Sequence, residues 1–324
     1  MRGLGSYILY KGEATYGTKP TSTYDIGYIK SGSRTVMQPT MTPVNYLSSS
    51  RRIDKVGNNP FTKSVSQVQG TINFDLTKTL KPLMKLAFYD TGTNNSSFTP
   101  LNENHESSSF TIQYKLGGEN TKHYEQVGCF VSGYSISIPN LDSPVGFNLN
   151  ILGKQETLAT GEVSGIPNEK AYNVLFPASL AKLELRKDSH TSGENWETLE
   201  YNSFNLDVNN NLQYQNYLSS TGYNEKPPRI GVREMTGNIN FRFKRDKMDW
   251  FADEVLSQNV CSLKLTMTSE EGNDFKIELP NVYFNTGHLG NLPEDELILQ
   301  TSYVAIGKSE NTDAEDQYDI KVTY

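Results

Sequence analysis

Cysteine is scarce in this sequence, whose 324 residues contain two, Cys129 and Cys261. Two cysteines so far apart exclude a disulfide framework, and neither has a second cysteine at the CxxC spacing of zinc and redox sites. Both lie in strand-like stretches, so we predict that they are small, reduced core residues. That prediction fits synthesis in a reducing cytoplasm.

Long hydrophobic runs are also lacking. No stretch approaches the roughly 20 apolar residues that a membrane helix requires. The first residues, Met1–Gly5, lack the apolar segment of a signal peptide. We therefore expect neither membrane association nor secretion by the standard route.

Clustered positive charge is missing as well. The 30 Lys and Arg residues are outnumbered by 37 Asp and Glu residues, which gives a net charge of -7. The densest basic pairs, Arg51-Arg52 and Lys244-Arg245, each lie close to an aspartate. A protein that grips nucleic acid needs clustered Lys and Arg to displace counterions. Specific nucleic-acid binding is therefore not predicted.

The usual catalytic and metal-binding signatures do not occur in the sequence. It has no HExxH pattern, and its four histidines are scattered: His105, His123, His190 and His288. His123 is interpreted as a polar residue at a strand edge. Gly307-Lys308-Ser309 resembles the end of a phosphate loop, but Ser302 stands where that loop needs glycine. The sequence predicts no catalytic residue, no metal site and no cofactor.

The residues that are abundant favour β structure. The 19 Tyr and 14 Phe residues suit a pleated surface, whereas Trp occurs twice. Alternation of apolar and polar residues predicts strands with one buried face. Besides those described below, the predicted strands are Phe110–Tyr114, Val127–Ile138, Phe147–Leu152, Ser262–Met267, Phe275–Leu279 and Leu297–Val304.

The chain also resembles itself. Asn45–Ser49 recurs as Asn216–Ser220, Gly70–Phe74 as Gly237–Phe241, and Ile151–Lys154 as Ala305–Lys308. The three matches keep the same order, and their spacing drifts only by loop-sized amounts, so a duplicated unit is predicted. Ile72 and Phe74 alternate with polar residues in the first copy, as Ile239 and Phe241 do in the second. These four are the predicted equivalent core positions.

A helical pattern follows each of these two strands. Thr79 is predicted to cap the first helix and Asp246 the second. The segment Thr157–Lys170 is polar and rich in turn residues. We therefore predict a mainly β protein with two tandem β-sandwich or partial-barrel domains, each with a short flanking α-helix. The domains are residues 1–156 and 179–324, joined by a linker at 157–178.

Several segments resemble phage tail tube proteins that have two tandem tube domains. Gly12-Glu13-Ala14-Thr15-Tyr16-Gly17 looks like the E-T-Y-G-T-P start common in that family. The strand Val68–Leu76, followed by a helix, is similar to the family's first domain. Met235–Phe241 and Leu279–Val282 look like the matching segments of its second domain. The resemblance spans nearly the entire chain.

The resemblance implies a mechanical role and no enzymatic activity. Family members form rings whose inner strands join into one barrel, and the rings stack into a hollow tube that conducts DNA. Two tube-like domains per chain imply three copies in a pseudo-hexameric ring. The implied partners are copies of the chain, a tape measure protein, tail terminator and baseplate proteins, and passing double-stranded DNA that is not bound specifically. The implied location is the virion tail, after synthesis in the host cytoplasm.

Two surfaces are predicted on this basis. The loops Ser48–Pro60 and Ser219–Pro228 are equivalent in the repeat, and they are either inter-ring contacts or ordinary mobile loops. The bore should be neutral to negative, because Lys and Arg would retain DNA. Its expected lining is the outward polar residues of strands near 65–76, 131–152, 232–243 and 281–304. The inter-ring contact candidates are Arg51, Arg52, Asp54, Lys55, Asn224, Glu225 and Lys226.

Other functions remain open from the sequence. Exposed Tyr residues could stack on sugars in a tandem β-sandwich carbohydrate-binding module. A baseplate or distal-tail ring component could share the tube fold while forming one ring only. A β-rich hydrolase would need convergent acid and base residues, and nothing in the sequence favours them.

Overall fold

The structure is a computed structural model that describes residues 7–30, 33–38, 41–43, 61–63, 67–89, 97–98, 108–115, 122–160, 175–187, 196–214, 226–244, 259–272, 274–285, 288–290, 296–306 and 320–323. Within these ranges the protein is mainly β, as predicted. The strands are β1 (Tyr7–Gly12), β2 (Asp25–Tyr28), β3 (Val36–Gln38), β4 (Met41–Pro43), β5 (Phe61–Lys63), β6 (Gln67–Asp75), β7 (Ser97–Phe98), β8 (Phe110–Lys115), β9 (Lys122–Ile138), β10 (Gly146–Gly153), β11 (Gln155–Thr160), β12 (Ala181–Lys187), β13 (Glu197–Asn209), β14 (Glu234–Lys244), β15 (Cys261–Thr268), β16 (Asp274–Phe284), β17 (His288–Gly290), β18 (Glu296–Ala305) and β19 (Lys321–Thr323). The helix α1 spans Lys81–Phe88.

The second half of the chain closes a six-strand barrel. β12 pairs with β13, β13 with β14, β14 with β18, β18 with β16, β16 with β15, and β15 returns to β12, all antiparallel. Closure leaves no unpaired edge around the circuit, which removes the hydrogen-bonding rows that an open sheet exposes.

The first half traces the same circuit with one weak step. β1 pairs with β2, β6 with β10, β10 with β9, β9 with β8, and β8 with β1. The remaining step, from β2 to β6, is an isolated bridge between Ile29 and Phe74, beside which Lys30 N–H donates to Asn73 O at 2.8 Å. The six strands of each circuit can be numbered one to six in chain order. Their order around the circuit is then 1-2-3-6-5-4 in both halves, which is β1-β2-β6-β10-β9-β8 in the first and β12-β13-β14-β18-β16-β15 in the second.

The long strand β9 joins the two circuits. It has 17 residues, and its segment from Gly133 to Ile138 pairs with β10 on one side and with β13 on the other. A register shift at Ser132 and a positive φ of 64° at Gly128 bend the strand, so that its first part pairs with β8 and β11. One sheet therefore runs through β3, β6, β10, β9, β13, β14, β18 and β17.

The core follows the predicted alternation. Ile72, Phe74, Ile239 and Phe241 are all buried, and their equivalence in the repeat stays a prediction. Full burial of a side chain of this size contributes about 2 kcal/mol. Both cysteines are free and buried, which confirms their predicted place in the core.

Helix α1 begins one residue later than its predicted cap requires. Its buried face is the predicted one: Leu83, Met84, Ala87 and Phe88. The residue before the helix is Leu80, which makes no side-chain cap, and Pro82 occupies the first turn, where its missing N–H has no partner to lose. Thr79 lies in the preceding 3-10 turn, with its hydroxyl 3.0 Å from that of Thr77. The prediction that Thr79 caps the helix is therefore wrong, and the helix predicted after Asp246 lies outside the described residues.

Both ends of the predicted linker are attached to the first half. β11 continues to Thr160 and pairs with β9, although the linker was predicted to begin at residue 157. At the other end, Phe176 N–H donates to Leu76 O at 3.2 Å, and Val145 N–H donates to Phe176 O at 3.0 Å. Residues 157–160 therefore belong to a strand, which the turn-rich composition of the whole segment obscured.

Gly237 offers a direct test of the second circuit. A Cβ there would lie 2.1 Å from Asn205 O and 2.3 Å from the ring of Tyr303, whose hydroxyl donates to Asn205 O at 2.9 Å. We expect Gly237→Ala to lower the free energy of unfolding by roughly 2 kcal/mol, because the crowded backbone must move. Denaturant unfolding of the parent and the variant measures this difference in free energy. Gly12→Ala is the control, since its Cβ would have 3.9 Å to the nearest atom, and equal effects of the two changes would contradict the close packing.

Candidate functional site

The continuous sheet presents one polar surface, which we call the polar face. Along each strand the side chains alternate between the buried core and this face. Its members are Thr71, Asn73, Asp75, Ser135, Ser137, Asn148, Asn150, Asn205, Asp207, Asn209, Glu234, Thr236, Asn238, Asn240 and Ser302, each exposed or half-exposed. Both halves of the chain contribute to it.

The strand register arranges these side chains in rows. The central row contains Asn73, Asn148, Ser135, Asp207 and Thr236. The row on one side of it contains Asp75, Gly146, Ser137, Asn205, Asn238 and Ser302, and the row on the other side contains Thr71, Asn150, Gly133, Asn209 and Glu234. Each row thus crosses from the first circuit into the second without interruption.

Hydrogen bonds between neighbouring side chains hold the polar face in place. Asn148 Nδ2 donates to Ser135 Oγ at 3.0 Å, and Thr71 Oγ1 donates to Asn150 Oδ1 at 2.8 Å. Asn205 Nδ2 donates to the carboxylate of Asp207. Amide and hydroxyl groups that already bond to one another leave a hydrated surface with few strong donors for a ligand.

The charge on the three rows of the polar face is negative, whereas the exposed Arg242 lies beyond them, two residues past Asn240 on β14. The three rows contain the carboxylates Asp75, Asp207 and Glu234, and none of the described residues in them is Lys or Arg. Lys30 Nζ lies 2.6 Å from Asp75 Oδ1 and offsets that charge at the edge of the face. Asp207 and Glu234 therefore dominate the electrostatic field over the centre.

Strands predicted to line a common surface do come together here. β6, β9, β10 and β14 supply most of the polar face, and β18 flanks it. β13 was missed, although it supplies the acidic centre. Its signal was present in the sequence, because Phe204, Leu206 and Val208 are buried while the residues between them face solvent.

Of the two predicted contact loops, the structure describes only residues 226–228. Arg51, Arg52, Asp54, Lys55, Asn224 and Glu225 lie outside the described residues, so their role stays a prediction. Lys226 is described and exposed, and it lies at the same end of the sheet as the start of β14.

The motif at the start of the chain fastens the bend of β9. Glu13 is buried, and its carboxylate accepts hydrogen bonds from Gly17 N–H at 2.7 Å, Gly128 N–H at 2.8 Å and the Thr111 hydroxyl at 2.7 Å. A buried carboxylate needs such donors, because its desolvation is otherwise costly. This side chain therefore holds the Glu13–Gly17 turn, β8 and β9 together.

Tyr16 extends that attachment to the second half. Its hydroxyl lies 3.4 Å from that of Tyr214, and its ring packs on Phe130 with the centroids 5.8 Å apart. Burial raises the pKa of Tyr16 and of Tyr214 well above the ordinary value, so both phenols stay neutral and can share a hydrogen bond. The motif residues thus act in the junction between the halves.

His123 is buried in β9, and the prediction of a strand-edge residue is wrong, because β8 and β11 pair on both sides of that strand. Neither ring nitrogen has a hydrogen-bond partner among the residues that the structure describes. Nε2 lies 3.7 Å from the carboxylate of Glu125, which also binds Lys19 Nζ at 2.6 Å and Gln113 Nε2 at 2.9 Å. Burial lowers the pKa of His123 although Glu125 opposes that shift. Within the described ranges no group of three or more potential metal ligands converges.

The lowered pKa of His123 predicts acid sensitivity. In the unfolded chain a histidine titrates near pH 6.5, about its reference value, and in the fold it stays neutral to lower pH. This difference in pKa stabilises the fold fully above the pKa of the unfolded chain. The stabilisation is lost as the pH falls from the pKa of the unfolded chain to the lower pKa of the folded protein. We expect His123→Gln to lose less unfolding free energy than the parent between neutral and mildly acidic pH. Denaturant unfolding at several pH values in that range measures this, with Lys122→Gln as the neighbouring control. Equal slopes of unfolding free energy against pH for the parent and His123→Gln would contradict the prediction.

The chain also matches a known protein family. The family model described as phage tail tube protein matches residues 3–305, a range that ends where β18 ends and includes both strand circuits and the polar face. The chain belongs to the phage tail tube protein family. It is therefore a structural component of the virion tail, and membership implies that copies of this tail tube protein assemble with one another. A comparison with curated protein sequences found no match. In the described part of this tail tube protein, no helix is long and apolar enough to cross a membrane.

Proposed function

We propose that this protein forms the wall of the tail tube, in rings of three copies that stack into a hollow filament through which the viral DNA is ejected. The observation that carries the proposal is the continuous sheet of β3, β6, β10, β9, β13, β14, β18 and β17, whose polar face crosses both halves of the chain. A sheet of this kind can continue into a neighbouring copy through β3 and β17, its two end strands.

The proposed ring rests on the matching strand circuits. The same neighbour order in both halves supports two tandem domains, close to the predicted 1–156 and 179–324, with the connection inside residues 161–174. Three copies then present six similar barrels, which is the pseudo-hexameric arrangement. The assembly needs no catalytic residue, and the proposed role is not enzymatic.

The dimensions of such a ring suit a DNA conduit. Three copies of the eight-strand sheet would make a barrel of 3 × 8 = 24 strands. With strands about 4.8 Å apart and tilted by about 40°, the backbone circle is about 48 Å across, and side chains about 5 Å long leave a bore of about 38 Å. A DNA duplex passes through an opening of that width with a layer of water around it.

The polar face would line this bore. Asp207 and Glu234 would repeat around the ring and repel phosphates, while the amides and hydroxyls beside them offer only weak, exchangeable contacts. Because no counterion-releasing Lys or Arg stands among the described residues of the three rows, DNA would slide without being held. The proposed partners beyond DNA are a tape measure protein, tail terminator and baseplate proteins, and synthesis would take place in the host cytoplasm.

Electron microscopy of the purified protein at high concentration tests the assembly. We expect hollow rods of uniform width whose cross-section shows threefold symmetry. Single rings that never stack would instead indicate a baseplate component, and dispersed particles with glycan affinity would indicate a carbohydrate-binding module; either result would overturn the tube proposal.

A charge reversal tests the role of the polar face. We expect rods of Asp207→Lys/Glu234→Lys protein to retain linear double-stranded DNA at low salt and to release it as salt is raised, because the new cations displace counterions. Parent rods should retain at least about tenfold less DNA, a ratio typical of a few phosphate contacts. Glu270→Lys/Glu271→Lys is the control with the same charge change on the exposed turn between β15 and β16. Equal retention by both variants would show that net charge alone is responsible.

A further inference from the structure

Exposed hydrophobic side chains gather at the two ends of the continuous sheet. Beyond Asp75 and Gly146, the turn 139–143 and the segment 175–180 form what we call the turn end. Beyond Asn209, the segment 226–233 and Ile306 form what we call the arginine end. The outer rows of the polar face that mark these ends are four residues apart along each strand, about 13 Å.

The turn end exposes three leucines on a fixed backbone. Leu141, Leu175 and Leu180 are 46%, 45% and 47% exposed. Ala178 N–H donates to Ser143 O at 3.1 Å, and a bridge between Pro144 and Pro177 joins the two segments. The two segments that carry the three leucines are therefore joined at one end of the sheet.

The arginine end exposes a second apolar pair. Val232 is 83% exposed and Ile306 is 50% exposed. Asn211 Nδ2 donates to Val232 O at 2.6 Å, and Ile306 N–H donates to Asn281 O at 3.0 Å. Both side chains are held outwards by backbone contacts, and leaving such groups in water costs free energy that a partner surface would recover.

The charges of the two ends are complementary. The segment 226–233 contains Lys226, Arg229 and Arg233, and a single carboxylate, Glu234, follows it at the start of β14. The turn 139–143 and the segment 175–180 contain Asp142, and the exposed cation Lys78 follows Thr77, which bridges to Leu175. Lys182, just beyond, is bound to Glu184 at 2.6 Å. Two copies placed end to end would therefore bring an apolar surface that carries Asp142 against an apolar surface on which three cations outnumber Glu234.

We propose that the arginine end of one copy docks on the turn end of the next copy along the tube axis, with Val232 and Ile306 packed against Leu141, Leu175 and Leu180. The inference rests on the proposed tube and names the surfaces that stack its rings. Because the two surfaces differ and lie at opposite ends, the contact is heterologous and does not close, so it propagates into a filament.

Paired charge substitutions test this contact. Leu141→Lys places a cation against the basic arginine end, and Val232→Glu places a carboxylate against Asp142. Each single variant should form rings but at least tenfold fewer rods than the parent, measured by sedimentation and negative-stain microscopy. The double variant should recover rods, because the new cation at position 141 of one copy would then face the new carboxylate at position 232 of the next.

The controls separate this inference from its foundation. Leu158→Lys changes a leucine that is 54% exposed on β11, away from both ends, and should leave the rod yield unchanged. Thermal unfolding establishes whether each variant folds. If Leu141→Lys or Val232→Glu does not fold, Leu141→Ser or Val232→Ser takes its place, and loss of rods is still expected. The proposed docking would be overturned if the single variants form as many rods as the parent, or if the double variant forms no more rods than the single variants. Neither result would contradict the proposed tube. Absence of both rings and rods in the parent would overturn the tube itself.

Discussion

The antiparallel ladder between β9 and β13 is the contact on which the rest of the structure depends. It joins Gly133–Ile138 to Phe204–Asn209, and through it two separate strand circuits share one sheet. Without it the polar rows would end at β9, and the acidic centre supplied by β13 would be detached from the amides of β6 and β10. The bend of β9 makes the ladder possible, since at Gly128 and Ser132 the strand turns away from β8 and meets β13 while it stays paired with β10. Glu13 stabilises that bend from inside, with Tyr16 reaching across to Tyr214.

The two faces of the sheet divide the work of folding and of function. Side chains such as Phe74, Phe147 and Ile239 bury apolar area on one face, where the hydrophobic effect supplies most of the stability. The alternate positions are free of that demand and carry Asn, Ser, Thr and two dominant carboxylates. A shift of one residue in register would exchange the two sets. The burial that stabilises the core therefore also fixes which residues form the polar face.

Much of this could be predicted from local patterns. Period-2 alternation located β8, β9, β10, β15, β16 and β18, and it identified Ile72, Phe74, Ile239 and Phe241 as core. The failures have physical causes. His123 was assigned to an edge because polarity is normally a sign of exposure, whereas its burial depends on β11 returning from later in the chain. Thr79 has the right chemistry for a cap, but Pro82 and the 3-10 turn set the helix start. The closure of each circuit depends on pairings between distant strands, such as β12 with β15, which no local pattern encodes.

The repeated circuit has a further consequence for how a ring would form. Where six separate barrels would have to find one another by diffusion, each chain already carries two that meet through the β9–β13 ladder at the high effective concentration of a covalent tether. Half of the junctions around a ring would then be made during folding and would not depend on protein concentration. The junctions made within a chain and those made between chains need not be alike, and each could change its sequence without disturbing the other.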